Sequence, residues 1–301
     1  ARGVKRSVLH DRLALKGAYF KNVSGWEGAD WFATDGSPAK VREHTFGRAH
    51  WFPFWAAEHA ACRTSVALFD MSFMSKFLVQ GPDAGRVLNY LSTADVDGPP
   101  GRVTYTQWLS HEGLVEADLT VTKLETGGVF GGSDAFHTYL VVATDTMHRH
   151  VETHIRRYIH ETDARAFVMD VTGGIAQVNV QGPHSRALLQ ALTSVDMSHR
   201  AFRFRDAREI DIGCAPVLCQ RLTYVGEMGF ELLAPAETML HVYEQIMQAG
   251  GQFGLQHAGL RALGSLRLEK AYRDYGHDMD NTDTLREVGL AFTVAGGEAG
   301  G

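Results

Sequence analysis

Hydrophobic and polar positions alternate most regularly between residues 114 and 124. Val115 and Leu119 belong to the apolar series of this segment, and Asp118 and Thr120 belong to the polar series. A period of two residues is typical of a strand that has one buried face and one accessible face. The segment therefore predicts a strand that presents Asp118 and Thr120 on its polar face.

The same criteria predict further elements along the chain. Apolar runs that are bounded by glycine, proline or polar residues predict strands at 76–80, 105–109, 138–143, 218–222, 229–234 and 288–294. Apolar residues at helical spacing, with capping residues beside them, predict helices at 6–17, 56–64, 83–91, 145–158, 239–248 and 259–270.

Two aromatic segments do not follow either period. Residues 25–32 combine tryptophan and phenylalanine with glycine, which predicts an ordered loop. Residues 51–55, Trp-Phe-Pro-Phe-Trp, form a dense aromatic cluster. A cluster of this size is rarely left open to water. It either packs in the core or provides a docking face for another domain.

A unit of strand, Gly-Pro and helix occurs twice in the chain. Residues 77–83, Phe-Leu-Val-Gln-Gly-Pro-Asp, are echoed by residues 178–184, Val-Asn-Val-Gln-Gly-Pro-His. The pairs that keep the same offset after the Gly-Pro step are Leu88 and Leu189, Leu91 and Leu192, and Asp95 and Asp196. The repeat predicts two similar α+β lobes, built from a duplicated fold rather than from unrelated domains.

Composition and net charge limit the kinds of partner and the cellular compartments that we expect. The chain has 301 residues, a formal net charge of −6 and a pI of about 6.2, which argues against nucleic acid as a partner. Three Cys make no disulfide framework, so we expect a reducing compartment, the cytoplasm or the mitochondrial matrix. We expect no membrane span and no secretory signal, because no apolar run is long enough and none follows the basic start.

Two candidate sites combine polar chemistry with a defined position. Asp118 lies on the polar face of its predicted strand, although a strand aspartate is more often a solvated side chain. Tyr224 and Glu231 are seven residues apart across a glycine-containing turn, so we expect them on facing strands. A glutamate there offers two acceptor oxygens in one plane, which suits adjacent N–H donors such as those of a pterin amino-pyrimidine. A plain surface hairpin is the alternative.

Two further groups of residues have simpler explanations. The predicted helix at 259–270 contains Arg261 and Arg267, which fit either a binding role or a charged helix face. His44, His50 and His59 lack an HExxH pattern and a carboxylate at ligand spacing, so we expect no metal site.

Several segments together resemble the glycine-cleavage T-protein (aminomethyltransferase) family. They are similar above all to the C-terminal folate domain of dimethylglycine and sarcosine dehydrogenases and oxidases. The segments are 66–72, 80–84, 113–121, 223–231 and 265–270. Residues 9–32 resemble the short central segment that follows the FAD domain in those enzymes, so the resemblance extends from about residue 5 to residue 294.

This resemblance implies a fold, a cofactor and a set of site residues. The fold would be α+β, with duplicated lobes of antiparallel sheet plus helices in the folate-binding cloverleaf arrangement, and the cofactor would be tetrahydrofolate. The catalytic carboxylate would be Asp118, the glutamate at the pterin edge would be Glu231, and a folate-contacting tyrosine would be Tyr224. Further folate-binding candidates are Thr120, Arg267 and Tyr105.

The chain also departs from the family pattern. Ala143 stands where T-proteins usually carry asparagine, which we take as membership of the dehydrogenase branch. No GxGxxG fingerprint follows an N-terminal strand, so we expect the FAD domain to be absent from this chain. The C-terminal barrel lobe would be missing past Val294. We therefore expect an FAD-domain partner, either fused or on another chain.

The predicted domains follow from these matches. Residues 1–54 would form the segment that resembles the central region, and residues 55–286 would form the aminomethyltransferase-like tetrahydrofolate-binding domain. Residues 287–301 would be the start of a truncated lobe followed by a Gly-rich flexible tail.

The leading functional hypothesis is one-carbon transfer to tetrahydrofolate. An iminium or formaldehyde unit from oxidative demethylation of dimethylglycine or sarcosine would be captured as 5,10-methylene-tetrahydrofolate. One alternative is a tetrahydrofolate-dependent O- or S-demethylase. Another is a non-catalytic folate-binding or regulatory module. The amine donor and the oligomeric state do not follow from the sequence.

Overall fold

The computed structural model describes residues 2–40, 46–132 and 135–296. In these ranges the α-helices are α1 (His10–Leu15), α2 (Phe52–Thr64), α3 (Ala84–Leu91), α4 (His148–Glu161), α5 (Ser185–Gln190), α6 (Ala236–Gly250) and α7 (Leu260–Glu269). The strands are β1 (Ala18–Val23), β2 (Trp26–Phe32), β3 (Val66–Asp70), β4 (Ser75–Gln80), β5 (Arg102–Leu109), β6 (Val115–Lys123), β7 (Thr138–Ala143), β8 (Phe167–Asp170), β9 (Ile175–Gln181), β10 (Ala207–Ile212), β11 (Ala215–Gln220), β12 (Gly229–Pro235) and β13 (Leu255–His257). His44 and the 297–301 end of the predicted flexible tail lie outside the described residues.

One compact unit consists of residues 1–73, 173–204 and 209–272. Its main sheet has the strand order β10-β11-β12-β9-β3-β13. Both neighbours of β9 run antiparallel to it, whereas β13 at the edge runs parallel to β3. Side chains of α5 and α6 join those of the sheet in one buried apolar cluster, which includes Leu188, Phe230 and Val242. We call this part unit 1.

The second compact unit, unit 2, consists of residues 74–172, 205–208 and 273–301. Its sheet has the order β5-β6-β7-β4-β8. Leu119, Val121 and neighbouring apolar residues of the sheet pack with α3 and α4 in the buried core. Val115 belongs instead to a second, smaller cluster, because the register of β5 and β6 shifts between Trp108 and Leu109. The predicted alternation of β6 is therefore confirmed from Ala117 to Val121, between this bulge and Thr122, which belongs to the predicted polar series but is 1% exposed.

The predicted repeat is confirmed by the strand orders and by the backbone. In each unit the strand before the Gly-Pro step has two antiparallel neighbours. The glycines of the two copies, Gly81 and Gly182, have φ of 129° and 131°. A Cβ atom at Gly81 would lie 2.3 Å from the carbonyl oxygen of Arg165, and one at Gly182 would lie 2.5 Å from that of Ser65. Both steps thus require glycine for conformation and for space.

The loop prediction for residues 25–32 is wrong, because this segment forms β2. It pairs antiparallel with β1, and Val23 faces Trp26 across a turn in which Gly25 has φ 92°. Gly28 lies inside the strand, where a Cβ atom would come within 2.5 Å of Val23 Cγ2. Gly28 therefore allows close packing within a strand and does not mark a loop. Composition alone does not distinguish these two uses of glycine.

The predicted strand at 288–294 is also wrong. This segment contains a single 3-10 turn at Ala291–Thr293. Leu290 and Val288 are buried in the small cluster of unit 2, so the apolar run reflects burial of a turn.

The aromatic cluster at residues 51–55 forms the start of α2. The helix begins at Phe52, earlier than predicted, because Pro53 is compatible with the first helical turn. Phe54 stacks on Trp31 with ring centroids 5.5 Å apart, and Trp55 Nε1 lies 3.1 Å from Ser265 Oγ. These contacts agree with the packing alternative for the inward side of the cluster.

Among the residues that the structure describes, no helix has both the length and the apolar character that a membrane crossing requires.

Candidate functional site

Asp118 is held by two side chains of the neighbouring strand. It lies opposite Gln107 in the β5–β6 pair, and Gln107 Nε2 donates to Asp118 Oδ1 over 2.8 Å. Tyr105, also on β5, forms a side-chain hydrogen bond with the same carboxyl group. The period-two pattern explains this arrangement, because Tyr105 and Gln107 point to one face of β5.

The pKa of Asp118 is raised to about 6. Loss of solvation by burial is the main cause, and the negative charge of Asp274 adds to it. The hydrogen bonds from Gln107 and Tyr105 act in the opposite direction, since they stabilise the carboxylate. A carboxyl group with this pKa exchanges a proton readily near neutral pH, which general acid–base chemistry requires.

Thr120 lies on the same face of β6 as Asp118. It is half-buried, and its register partner on β5 is Tyr105. Three of the predicted site residues, Asp118, Thr120 and Tyr105, are thus brought together within unit 2. The hydroxyl groups of Thr120 and Tyr105 add donors and acceptors beside the carboxyl group.

Glu231 occupies a central position in the sheet of unit 1. It lies on β12, opposite Gln220 on one side and Asn179 on the other. Asn179 Nδ2 donates to Glu231 Oε1 over 3.1 Å, and Gln177 Nε2 donates to Asn179 Oδ1 over 3.1 Å. A chain of amide groups therefore orients the glutamate, on the face of the sheet that points away from the apolar cluster of unit 1.

Tyr224 does not lie on a strand that faces Glu231, so that prediction is wrong. It belongs to the connection between β11 and β12, where Thr223 Oγ1 accepts from the backbone N–H of Gly226 over 2.9 Å. This local turn ends the strand pairing at Gln220. The Tyr224 ring stacks on Tyr272 at a centroid distance of 6.3 Å.

Arg63 of α2 holds the connection that carries Tyr224. One Nη atom of Arg63 donates to the carbonyl oxygen of Val225, and the same atom lies 3.0 Å from Glu227 Oε1. The other donates to the carbonyl oxygen of Leu266 and pairs with Glu269 at 2.9 Å. The guanidinium thus ties the connection to α7.

Arg267 has a supporting position in unit 1. Its side chain is 8% exposed, and its Nη1 atom donates to the carbonyl oxygen of Tyr272 over 3.1 Å. Arg267 therefore helps to place the ring on which Tyr224 stacks. The family resemblance implies a folate-binding role for Arg267, and the structure shows its contact with Tyr272.

Several polar residues around these sites escaped sequence reasoning. Asn179 is one of them. A comparison of the two copies of the repeat could have identified it, because the residue at the same position of the first copy is the apolar Leu78. Gln107 and Tyr272 carried no such signal, because their contacts come from residues distant in sequence. His59, a considered metal ligand, instead contacts Ser265 Oγ at 2.8 Å. In the described parts of the chain, no three His, Cys, Asp or Glu side chains cluster as a metal site would require.

Two larger proteins are similar in sequence to this chain along nearly its whole length. Over 300 residues the chain is 36% identical to 4-methylaminobutanoate oxidase (formaldehyde-forming) of Paenarthrobacter nicotinovorans, covering 100% of this chain and 35% of that protein. Over 319 residues it is 34% identical to the mitochondrial sarcosine dehydrogenase of Homo sapiens, covering 97% of this chain and 35% of that protein. The chain therefore spans about a third of the length of these relatives.

The fold and the family agree with each other. The structure is similar to that of glycine cleavage system aminomethyltransferase T from Bartonella henselae, with a TM-score of 0.77 and 21% identity, over 97% of this chain and 70% of that one. This confirms the predicted α+β fold. The family model described as the GCVT N-terminal domain matches residues 9–297. The chain belongs to the GCVT N-terminal domain family, and the proteins to which its sequence is similar include an aminomethyltransferase, a sarcosine dehydrogenase and a 4-methylaminobutanoate oxidase.

Proposed function

We propose that the chain transfers a one-carbon unit to tetrahydrofolate. The unit would be an iminium or formaldehyde that arises from oxidative demethylation of dimethylglycine or sarcosine. The observation that carries this proposal is the Asp118 carboxyl group, which Gln107 and Tyr105 hold through side-chain hydrogen bonds, in a chain of this family. The raised pKa of this group, about 6, supports it. The name of one relative, a formaldehyde-forming oxidase, supports a one-carbon unit at this oxidation level.

The acceptors around Glu231 fit the donor edge of a reduced pterin. The carboxylate offers oxygen acceptors, and Asn179 orients it through Oε1. Gln177 Oε1 is buried and has no hydrogen-bond partner among the described residues. An acceptor in that state favours a ligand or a water that brings N–H or O–H donors. We assign pterin binding to Glu231, and we assign a folate contact to Tyr224, whose ring stacks on Tyr272.

When bound, tetrahydrofolate supplies two amine nitrogens that take up the carbon, and the product is 5,10-methylene-tetrahydrofolate. Asp118 would accept the proton that an amine nitrogen loses when it bonds to the carbon. The same carboxyl group would then donate a proton to the oxygen or amine that leaves. Tyr105 and Gln107 stabilise the carboxylate in the ionised half of this cycle. Proton transfer by a positioned group contributes about 10²–10⁴-fold to a rate.

We assign the oxidation of the methylamine to an FAD-containing domain, fused or separate, outside the residues described. This part of the proposal rests on the family resemblance of the sequence, which implies FAD, and on the names of the relatives, an oxidase and a dehydrogenase, of which the chain spans about a third. We also propose a reducing compartment, the cytoplasm or the mitochondrial matrix, since Cys62, Cys214 and Cys219 are all free.

The test separates binding from turnover. Calorimetric titration with tetrahydrofolate measures affinity, and a formaldehyde-trapping assay measures formation of 5,10-methylene-tetrahydrofolate. We expect Asp118→Asn to lower turnover by about 10²-fold or more and to change affinity little, because the variant keeps the shape of the side chain. We expect Glu231→Gln to weaken binding instead.

Asp211→Asn is the matched control, since Asp211 is an exposed aspartate of β10. Unchanged turnover in Asp118→Asn would remove the assigned role. Binding of tetrahydrofolate by the unmodified chain without product would favour the non-catalytic folate-binding module. Methyl transfer from an O- or S-methyl donor would favour the demethylase alternative.

A further inference from the structure

We propose that Gln107 and Thr293 are positioning residues that fix which hydrogen-bonding group faces Asp118. The inference deepens the proposed function, because it rests on the role given there to Asp118. Neither residue belongs to a sequence motif of the family resemblance. Both are placed by contacts within unit 2.

Gln107 has a fixed backbone and a fully buried side chain. It is 0% exposed, and its backbone exchanges hydrogen bonds with Thr93. The Thr93 N–H donates to the Gln107 carbonyl oxygen over 3.0 Å, and the Gln107 N–H lies 3.3 Å from Thr93 Oγ1. With this backbone held, the one remaining freedom that matters is the orientation of the terminal amide group.

Thr293 determines the orientation of that amide. Its hydroxyl group donates to Gln107 Oε1, which leaves Nε2 directed at Asp118 Oδ1. The same hydroxyl group also lies 2.7 Å from the carbonyl oxygen of Leu290, which accepts the backbone N–H of Thr293 over 3.0 Å. We assign the hydroxyl proton to Gln107 Oε1, because this oxygen has no proton of its own and lies in hydrogen-bond contact with the hydroxyl oxygen. The amide then presents a donor to the carboxylate.

The turn that carries Thr293 is anchored to Thr93, the residue that also holds the backbone of Gln107. The backbone N–H of Ala295 donates to the carbonyl oxygen of Thr93 over 2.8 Å. Thr93 is also the backbone partner of Gln107. Leu290, which precedes the turn, is 3% exposed in the small cluster against which Tyr105 packs. The turn at Ala291–Thr293 thus supports the hydrogen bond between Gln107 and Asp118.

Replacement of Thr293 by valine would leave Gln107 Oε1 buried without that donor. A buried acceptor without a donor is costly. Rotation of the amide would turn Oε1 toward Asp118, whose Oδ1 lies 2.8 Å from the amide nitrogen, and Asp118 in its protonated form can donate to it. The amide would then favour the protonated carboxyl group, and the pKa of Asp118 would rise. The other titratable groups that face Asp118 are Tyr105 on β5 and Asp274 from the segment after α7, and the substitution changes neither.

The experiment measures the carboxyl group directly. The chain is labelled with [13C]aspartate, the Asp118 resonance is assigned from its absence in Asp118→Asn, and its shift is followed from about pH 4 to about pH 9. We expect Thr293→Val and Gln107→Met to raise the pKa of Asp118 by about one pH unit each. We expect Thr293→Ser, which keeps the hydroxyl group, to retain the pKa of the unmodified chain.

The three variants also separate positioning from general stability. Circular dichroism melting confirms that each is folded, and Gln107→Met serves as the second variant should Thr293→Val unfold. The proposal is overturned if the folded variants titrate as the unmodified chain does, or if Thr293→Ser behaves as Thr293→Val.

Failure of the proposed function gives a different result. If Asp118→Asn retained turnover while Thr293→Val still raised the pKa of Asp118, the positioning contact would stand and the catalytic role would fall. If Asp118→Asn lost turnover but the pKa did not move, the reverse would hold.

Discussion

Asp118 occupies an environment that favours its protonated form. Burial is the largest cause of its raised pKa, and two donors from β5 compensate only in part. Groups tuned in this way are common at functional sites, where the cost to the fold is retained because the reaction requires it. The raised pKa proposed to serve the reaction should therefore also be measurable as a pH dependence of the free energy of unfolding.

The ionisation of Asp118 should make the free energy of unfolding depend on pH. With a folded-state pKa of about 6 and an unfolded value of about 3.9, the folded state binds more protons between these values. The free energy of unfolding therefore falls as the pH rises through this interval. The full cost at pH 7 is roughly 3 kcal/mol. Asp118→Asn should be little different from the unmodified chain at pH 4 and more stable at pH 7, as measured by denaturant unfolding.

Asp211→Asn, an exposed aspartate, should show no such change between the two pH values. A stability difference for Asp118→Asn that stays constant across pH would contradict the assigned pKa.

Some site residues were predictable and others were not, for physical reasons. The alternation of β6 predicts the position of Asp118 on its strand, and the glycine turn predicts the position of Glu231. The roles of both residues come from the family resemblance and stay predictions. Gln107 and Tyr272 gain their roles from partners across a sheet or beyond a helix, so no local pattern marks them. Tyr224 was placed on a strand, but the hydrogen bonds of Thr223 form a turn there that strand periodicity does not register.

At the scale of elements, the repeat was the most informative signal. A Gly-Pro step after an apolar strand was expected in both copies, and the two glycines have nearly the same φ, 129° and 131°. Backbone oxygens close to both positions leave no room for a side chain. Predictions that relied on composition were less accurate. The glycine content of the segment that forms β2 predicted a loop, whereas glycine in this strand allows close packing.

Gly182→Ala should destabilise the chain strongly. The new Cβ atom would lie 2.5 Å from the carbonyl oxygen of Ser65, and the backbone would keep a φ that side chains rarely adopt. We expect a loss on the order of 1–3 kcal/mol or more in the free energy of unfolding, from denaturant titration. Gly81→Ala should lose a similar amount, because the repeat creates the same geometry.

Gly173→Ala provides the comparison, since no atom lies within 4 Å of a Cβ atom at that exposed position. Equal stability of Gly182→Ala and Gly173→Ala would mean that the Gly-Pro step relaxes at no cost.

At the scale of the whole molecule, duplication gives two sheets of similar order with different polar residues. Position 78 of the first copy is leucine, and its counterpart in the second copy is Asn179, which contacts Glu231. Asp118 belongs to the first copy, in unit 2. One fold thus carries two different sets of polar groups, which is why the function follows from the residues rather than from the architecture.

The proposed division of chemistry predicts how the isolated chain responds to different one-carbon donors. Acid–base transfer is assigned to this chain, and oxidation of the amine is assigned to an FAD-containing domain. The purified chain should therefore form 5,10-methylene-tetrahydrofolate from tetrahydrofolate and formaldehyde faster than the spontaneous reaction, by about 10²-fold or more. It should form none from sarcosine or dimethylglycine until an FAD-containing dehydrogenase is added. Asp118→Asn should remove the enhancement with formaldehyde, and oxidation of sarcosine by the chain alone would show that the division is wrong.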